Sequence, residues 1–165
     1  MHPVTREDQA LTPALKFLEK QGVAHVVRRY ELGDSHEGSY GEAVAKAIGA
    51  EPRQVFKTLI AQLNSSELVV AVVPVSGTLD LRALAAAAGA KSAAMAPPLA
   101  AEKATGYVTG GISPFGQRKA LRTFVDRSLE TFSQVFVSAG RRGLQVEVSS
   151  SDLVRLCKAS VAGLS

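Results

Sequence analysis

Gly110-Gly111-Ile112-Ser113-Pro114-Phe115-Gly116-Gln117-Arg118-Lys119 is the stretch whose residue types best suit a ligand. Glycine reaches positive φ without steric cost and lets the main chain approach a bound group closely. Pro114 fixes its own φ and biases Ser113 toward an extended conformation. Bare N–H groups, a hydroxyl and two cations in one short segment suit an anionic or polar ligand. An ordinary connection between strands can have the same composition, so the stretch alone leaves both readings open. A P-loop is excluded, although Gly111 and Gly116 have its spacing. Gln117 and Arg118 stand where the phosphate-binding Lys and the Mg²⁺-binding Ser/Thr are required.

Lys57 is the second candidate. In a strand from Val55 to Leu63, alternation puts Lys57 on the side of Val55, Leu59, Ala61 and Leu63, and Phe56, Thr58, Ile60 and Gln62 on the other. Such a lysine either snorkels at a sheet margin or points into a cavity. In the cavity it needs an anionic or polar partner, because burying an unpaired ammonium is too costly.

Other chemical groupings are weaker. His2, His25 and His36 are scattered, with no His-x-x-x-His pair and no carboxylate at ligand spacing, so neither a metal nor another cofactor is expected. Asp34-Ser35-His36 has the letters of a catalytic triad, but sequence neighbours rarely take up triad geometry, and the stretch reads as a surface loop. Cys157, at helical spacing from Leu153 and next to Leu156, reads as core rather than nucleophile. Tyr30, Tyr40 and Phe56 read as core packing or as a stacking wall for a base or amino acid.

The 165 residues suffice for one domain with a substantial core, and no segment reads as a linker. The apolar run Val69–Val75 is too short to span a bilayer, and residues 1–10 are unlike a secretory signal. A single cysteine excludes an intramolecular disulfide, and a cytoplasmic location is expected. Residues 1–82 carry 9 Lys+Arg against 10 Asp+Glu, whereas residues 83–165 carry 10 against 5. The whole net charge of +4 therefore lies in the half that holds the glycine-rich loop. A basic face there, with Arg118, Lys119, Arg122, Arg141 and Arg142, suits a polyanion such as RNA or is simply solvated.

The elements that must position these residues follow from caps and periodicity. Thr12-Pro13 opens a helix that ends at Gly22, and Ser39-Tyr40-Gly41-Glu42 is a capping box opening a second that stops at Gly49. Strands are expected at Val23–Tyr30, Leu121–Asp126, Gln134–Val137 and Gly143–Val148. Val55–Leu63 and Leu68–Pro74 form a hairpin around Asn64-Ser65-Ser66-Glu67. Asp80 caps an Ala-rich helix ending at Gly89, another helix starts near Pro98, and a final one starts at Ser149 or Ser150. Neighbouring strands with helices at the start, middle and end argue for an α+β fold with a mainly antiparallel sheet, ahead of a doubly wound parallel one.

Two ordered motifs, Phe56-Lys57-Thr58-Leu59 and Gly110-Gly111-Ile112-Ser113-Pro114 with Gly116-Gln117, resemble the YbaK/EbsC family of aminoacyl-tRNA deacylases. This family is related to the editing domain of bacterial prolyl-tRNA synthetases. Pro74-Val75, Leu79-Asp80-Leu81, Met95-Ala96, Ser138-Ala139-Gly140 and Arg142-Gly143-Leu144 match as well, so the resemblance runs from about Leu11 to Leu156 and is closest to the YbaK branch. It implies a mixed, mainly antiparallel, partly barrel-like sheet surrounded by helices. The implied activity is trans-editing, in which cysteine mischarged onto tRNA(Pro) is removed by hydrolysis. A synthetase pocket cannot strongly exclude a similarly sized or smaller side chain, so a second site must inspect the product.

By position, the resemblance implies that Lys57 holds the 3′-terminal nucleotide, with Gly110 and Gly111 near the ester carbonyl. Tyr30, Tyr40, Phe56, Thr58 and Ser138 would surround the substrate, and Ile112, Ser113 and Pro114 would continue the pocket wall. It also implies that the cysteinyl thiol attacks its own ester carbonyl, so that no enzyme nucleophile is needed. The expected partners are the 3′ end of aminoacyl-tRNA(Pro) and prolyl-tRNA synthetase, with no membrane. Tyr40 replaces a common phenylalanine, Ala139 a glycine and Phe115 a leucine, and Gln145 stands where some members have an acid. Tyr40 and Ala139 are expected to narrow or re-polarise the pocket. The alternatives are a deacylase for alanine or another small residue, and a non-catalytic module that binds tRNA or the synthetase.

Overall fold

Thr12 is extended, and its Oγ1 accepts the Leu15 N–H at 3.2 Å, which starts helix α1 (Pro13–Gln21) with proline in the first turn. This is a computed structural model that describes residues 12–33 and 38–165; His2 and Asp34-Ser35-His36 lie outside the described residues. Side-chain caps recur down the chain. Ser39 caps α2 (Tyr40–Ile48) through the Glu42 N–H at 3.2 Å, and Asp80 caps α3 (Leu81–Ala88) through two N–H groups. Ser149 caps α5 (Ser150–Leu156), whereas α4 (Pro98–Thr105) starts at a proline pair without a side-chain cap.

The strands fall into two sheets. One contains β1 (His25–Arg29), β6 (Gln134–Ser138) and β7 (Leu144–Ser149), antiparallel in the order β1-β7-β6. The other contains β2 (Phe56–Leu63), β3 (Leu68–Pro74), β4 (Ala93–Met95), β5 (Thr123–Asp126) and β8 (Ser160–Ala162) in the order β4-β2-β3-β5-β8. The β2–β3 hairpin and the β2–β4 pair are antiparallel, while β5 runs parallel to both β3 and β8. The fold is therefore α+β with mixed sheets. The expected barrel-like closure is not found: among the described residues the sheets share one backbone bridge, Val55–Phe136, and otherwise meet through side chains. That seam holds the candidate site.

Alternation on the hairpin divides the core. Phe56, Ile60, Val70 and Val72 face the main core with Leu15 and Leu18 of α1 and the valines of β6 and β7. Ala61, Leu63, Val69, Ala71 and Val73 face the other side, covered by Leu84 of α3. Lys57 belongs to this second row, at the end of β2 nearest the seam.

Candidate active site

A cavity of about 620 Å³ opens at the seam, within the size range of small-ligand sites. Its floor is β2 from Val55 to Ile60, and Ser138 of β6 and Gln145 of β7 close one side. Ser39, Tyr40, Gly41 and Val44 come from the start of α2, and Met95, Ala96, Pro98 and Ala101 from β4 and α4. Thr109, Gly110 and Ile112 complete the mouth.

The hairpin register explains the floor. β4 pairs with β2 only at Ala61–Leu63, and the Ala96 N–H adds one bond to the Ile60 carbonyl at 3.0 Å. Between that pairing and the bridge at Val55, the edge of β2 opens on the cavity. Lys57 is half-buried on this wall and has no ion-pair or hydrogen-bond partner among the described residues. Thr58 is 9% exposed, and its Oγ1 is buried without a partner. Gln145, opposite Ser138 in the β6–β7 register, likewise keeps Oε1 buried and unpartnered. Unpartnered buried oxygens of this kind cost stability, and both belong to residues that border the cavity. The Ser138 oxygen accepts the Gly140 N–H at 3.1 Å, leaving its proton free to donate.

Of the residues singled out in the sequence, Lys57, Tyr40, Phe56, Thr58, Gly110, Ile112 and Ser138 come together on the cavity wall. Four others stand behind it. Tyr30 is buried and supports the wall by a 2.9 Å hydrogen bond between its hydroxyl and that of Tyr40. Burial, then this bond, pushes the Tyr30 phenol above its ordinary pKa, with the Gly143 main chain and Gln145 acting in the opposite sense. Gly111 is buried, and its N–H is spent on the Val108 carbonyl at 2.9 Å, so it is not available to an ester carbonyl. A Cβ there would lie 2.7 Å from Arg141 Cα, so this glycine is required by main-chain packing. Ser113 is fully buried; its Oγ accepts the Phe115 N–H and its carbonyl accepts from Gln117 Nε2. Pro114, also buried, accepts from the Cys157 thiol. Their task is to hold the loop's shape, which the Tyr107 hydroxyl reinforces by donating to the Phe115 carbonyl at 2.5 Å.

Gly110 differs from its neighbour. It is exposed, has φ +93°, and a Cβ would come within 2.6 Å of Arg142 Nε. Arg142 crosses this bare position with its guanidinium carbon 4.8 Å from the centre of the Tyr40 ring. In the sequence Arg142 stood out as part of the basic excess and of a matched motif but not as a site residue, and nothing marked Thr109 or Ser39 as lining; Met95-Ala96 was visible only through the resemblance. Ala139 and Phe115, two departures from the family pattern, lie in the core, where Phe115 stacks on Phe17 at 6.1 Å. Ala139 therefore does not narrow the pocket; Tyr40 and Gln145 are the departures that touch it. Arg122 is tied to Glu67 at 2.8 and 3.0 Å and so contributes little to a free basic face.

The sequence model of the aminoacyl-tRNA editing domain matches residues 36–156. A relative from Enterococcus faecalis, named "Putative Cys-tRNA(Pro)/Cys-tRNA(Cys) deacylase EbsC", is 34% identical over 157 residues, which are 95% of this chain and 94% of the relative. The chain belongs to the aminoacyl-tRNA editing domain family. An editing domain of this kind is an aminoacyl-tRNA deacylase, a hydrolase acting on the ester between an amino acid and the tRNA 3′ end. Among solved structures, one described as "a putative trans-editing enzyme for prolyl tRNA synthetase" superposes with TM-score 0.80 at 25% identity, covering 92% of this chain and 94% of that one. Another, described as "hypothetical protein APE2540", has TM-score 0.82 at 22% identity over 92% of this chain and 98% of its own, and supports the fold alone. In the described part of the editing domain, no helix is long and apolar enough to cross a membrane.

Proposed function

We propose that this editing domain hydrolyses cysteine mischarged onto tRNA(Pro), with the cysteinyl thiol of the substrate as nucleophile. The composition of the cavity wall carries the reading. Among the described residues its only ionisable side chains are Lys57 and Tyr40; no histidine, carboxylate or cysteine lines it. A wall without a nucleophile–base pair suits a reaction whose nucleophile arrives with the substrate. Cys157 is no substitute, because burial pushes its thiol up to about 12 and it faces the Pro114 carbonyl.

The chemistry balances without a group from the enzyme. The cysteinyl sulfur bonds to its own carbonyl carbon, and charge develops on the carbonyl oxygen. Collapse expels the ribose oxygen, which leaves with the thiol proton, and a four-membered cyclic thioester remains. Water then opens that ring to free cysteine. Lys57 is suited to hold the 3′-terminal nucleotide in place, and the Ser138 hydroxyl to donate to the developing oxyanion. Alanine carries no thiol, so a reaction whose nucleophile arrives with the substrate favours cysteine over alanine. Selection of tRNA(Pro) then falls to prolyl-tRNA synthetase as a partner, a reading supported by the description of the solved neighbour.

The test is deacylation of tRNA(Pro) charged with cysteine, serine, alanine or proline. Cysteine is released fastest, and Lys57→Ala slows its release by a hundredfold or more, about 2–4 kcal/mol of transition-state stabilisation. Equal turnover of Ser-tRNA(Pro) overturns the thiol mechanism. An unaffected Lys57→Ala variant overturns the site.

A further inference from the structure

We infer that Arg142 is the phosphate anchor for the RNA 3′ end at the mouth of the cavity, a role that rests on the editing-domain reading and extends it outward from the ester. Two independent contacts fix the arginine. The Tyr40 ring lies under its guanidinium at 4.8 Å, and the missing side chain of Gly110 leaves the space where Nε and Nη2 would stand 2.6 and 2.9 Å from a Cβ. Both supports belong to the cavity wall, so the side chain is held at its opening while the residue stays exposed.

No carboxylate satisfies Arg142: it has neither an ion pair nor a hydrogen bond among the described residues. Arg122 makes the contrast, being committed to Glu67 through Nε and Nη2. A stacked guanidinium keeps its in-plane N–H donors free, and that fork matches a phosphate. The phosphate joining the last two nucleotides is the anion nearest an aminoacyl ester seated in the cavity. An acidic surface of a protein partner would also take an arginine, but it would have no reason to stack beside the cavity mouth.

The experiment measures equilibrium binding of the trinucleotide CpCpA, and of adenosine, which has no phosphate. Arg142→Ala weakens CpCpA binding roughly tenfold and leaves adenosine within about twofold. The slope of log affinity against log salt falls by about 0.7, the loss of one contact to a single strand. Arg142→Lys, which keeps the charge without the planar fork, recovers part of the affinity. Unchanged CpCpA binding overturns the proposal, as does an effect seen only with prolyl-tRNA synthetase. An equal loss for adenosine also overturns it, because Arg142 would then act only by propping Tyr40. None of these readouts needs turnover. Phosphate-dependent binding without release of any amino acid would leave Arg142 as the anchor and refute the deacylation reading instead.

Discussion

The Cys157 thiol donates to the Pro114 carbonyl across 3.4 Å, joining the end of α5 to the middle of the glycine-rich loop. The one cysteine of the chain thus supports the site from behind. Because burial pushes its thiol up to about 12, it stays protonated at neutral pH. Cys157→Ala should keep kcat for Cys-tRNA(Pro) within about twofold while losing about 1 kcal/mol of stability, or roughly 2–4 °C in Tm. Abolished turnover in a well-folded variant would make Cys157 the nucleophile.

The Tyr30–Tyr40 hydroxyl pair is a second support. Tyr30→Phe removes the hydrogen bond between the two hydroxyls and withdraws a contact from Gln145. The expected cost is about 1 kcal/mol in stability, with a larger effect on KM than on kcat because Tyr40, on the cavity wall, loses one of its supports. Thermal unfolding and steady-state kinetics on the same preparation separate the two effects.

Gly111→Ala tests the main-chain packing of the loop. The added methyl meets Arg141 Cα at 2.7 Å and Arg142 N at 3.0 Å, and neither can swing away as a side chain would. A loss of about 1–3 kcal/mol in denaturant unfolding is expected. Activity should fall with it, since the main chain that must shift carries Arg142, which packs on Tyr40 at the cavity wall. A fully stable Gly111→Ala protein would show that the loop has another packing.

Asp126 makes stability depend on acid. Its buried carboxylate accepts from Ser128 N and Oγ and from the Leu164 and Ser165 N–H groups. Burial pushes its pKa up, but these hydrogen bonds outweigh it and hold the group below the usual carboxylate value. A depressed pKa adds stability above the unfolded value near 3.9 and loses it as pH falls through the folded value. Asp126→Asn should therefore cost about 1–3 kcal/mol at pH 7, and the gap from wild type should close below about pH 4. A gap that stays constant down to pH 2 would exclude this carboxylate as the source.

Local rules made much of the fold legible. Thr12, Ser39 and Asp80 cap the helices expected of them, and the hairpin falls at Phe56–Leu63 and Leu68–Pro74. Each depends on contacts within a few residues or on one strong alternation. β4 and β8 were not legible. Ala93-Ala94-Met95 has little intrinsic strand preference, and Ser160–Ala162 becomes a strand only beside β5. The open edge of β2 follows from how short β4 is, so it could not be read either.

By itself the sequence determined the motif residues, their order and the family they resemble, because glycines, a strand lysine and cap residues impose local requirements wherever they occur. It could not divide the glycine-rich loop into Gly110 and Ile112 on the wall and Gly111, Ser113 and Pro114 behind it. Nor could it bring Arg142 onto Tyr40 across about a hundred residues of chain. Those outcomes depend on where two sheets meet and on which backbone leaves no room for a methyl group. Only the folded chain decides such distances, since close packing couples residues that share no local signal.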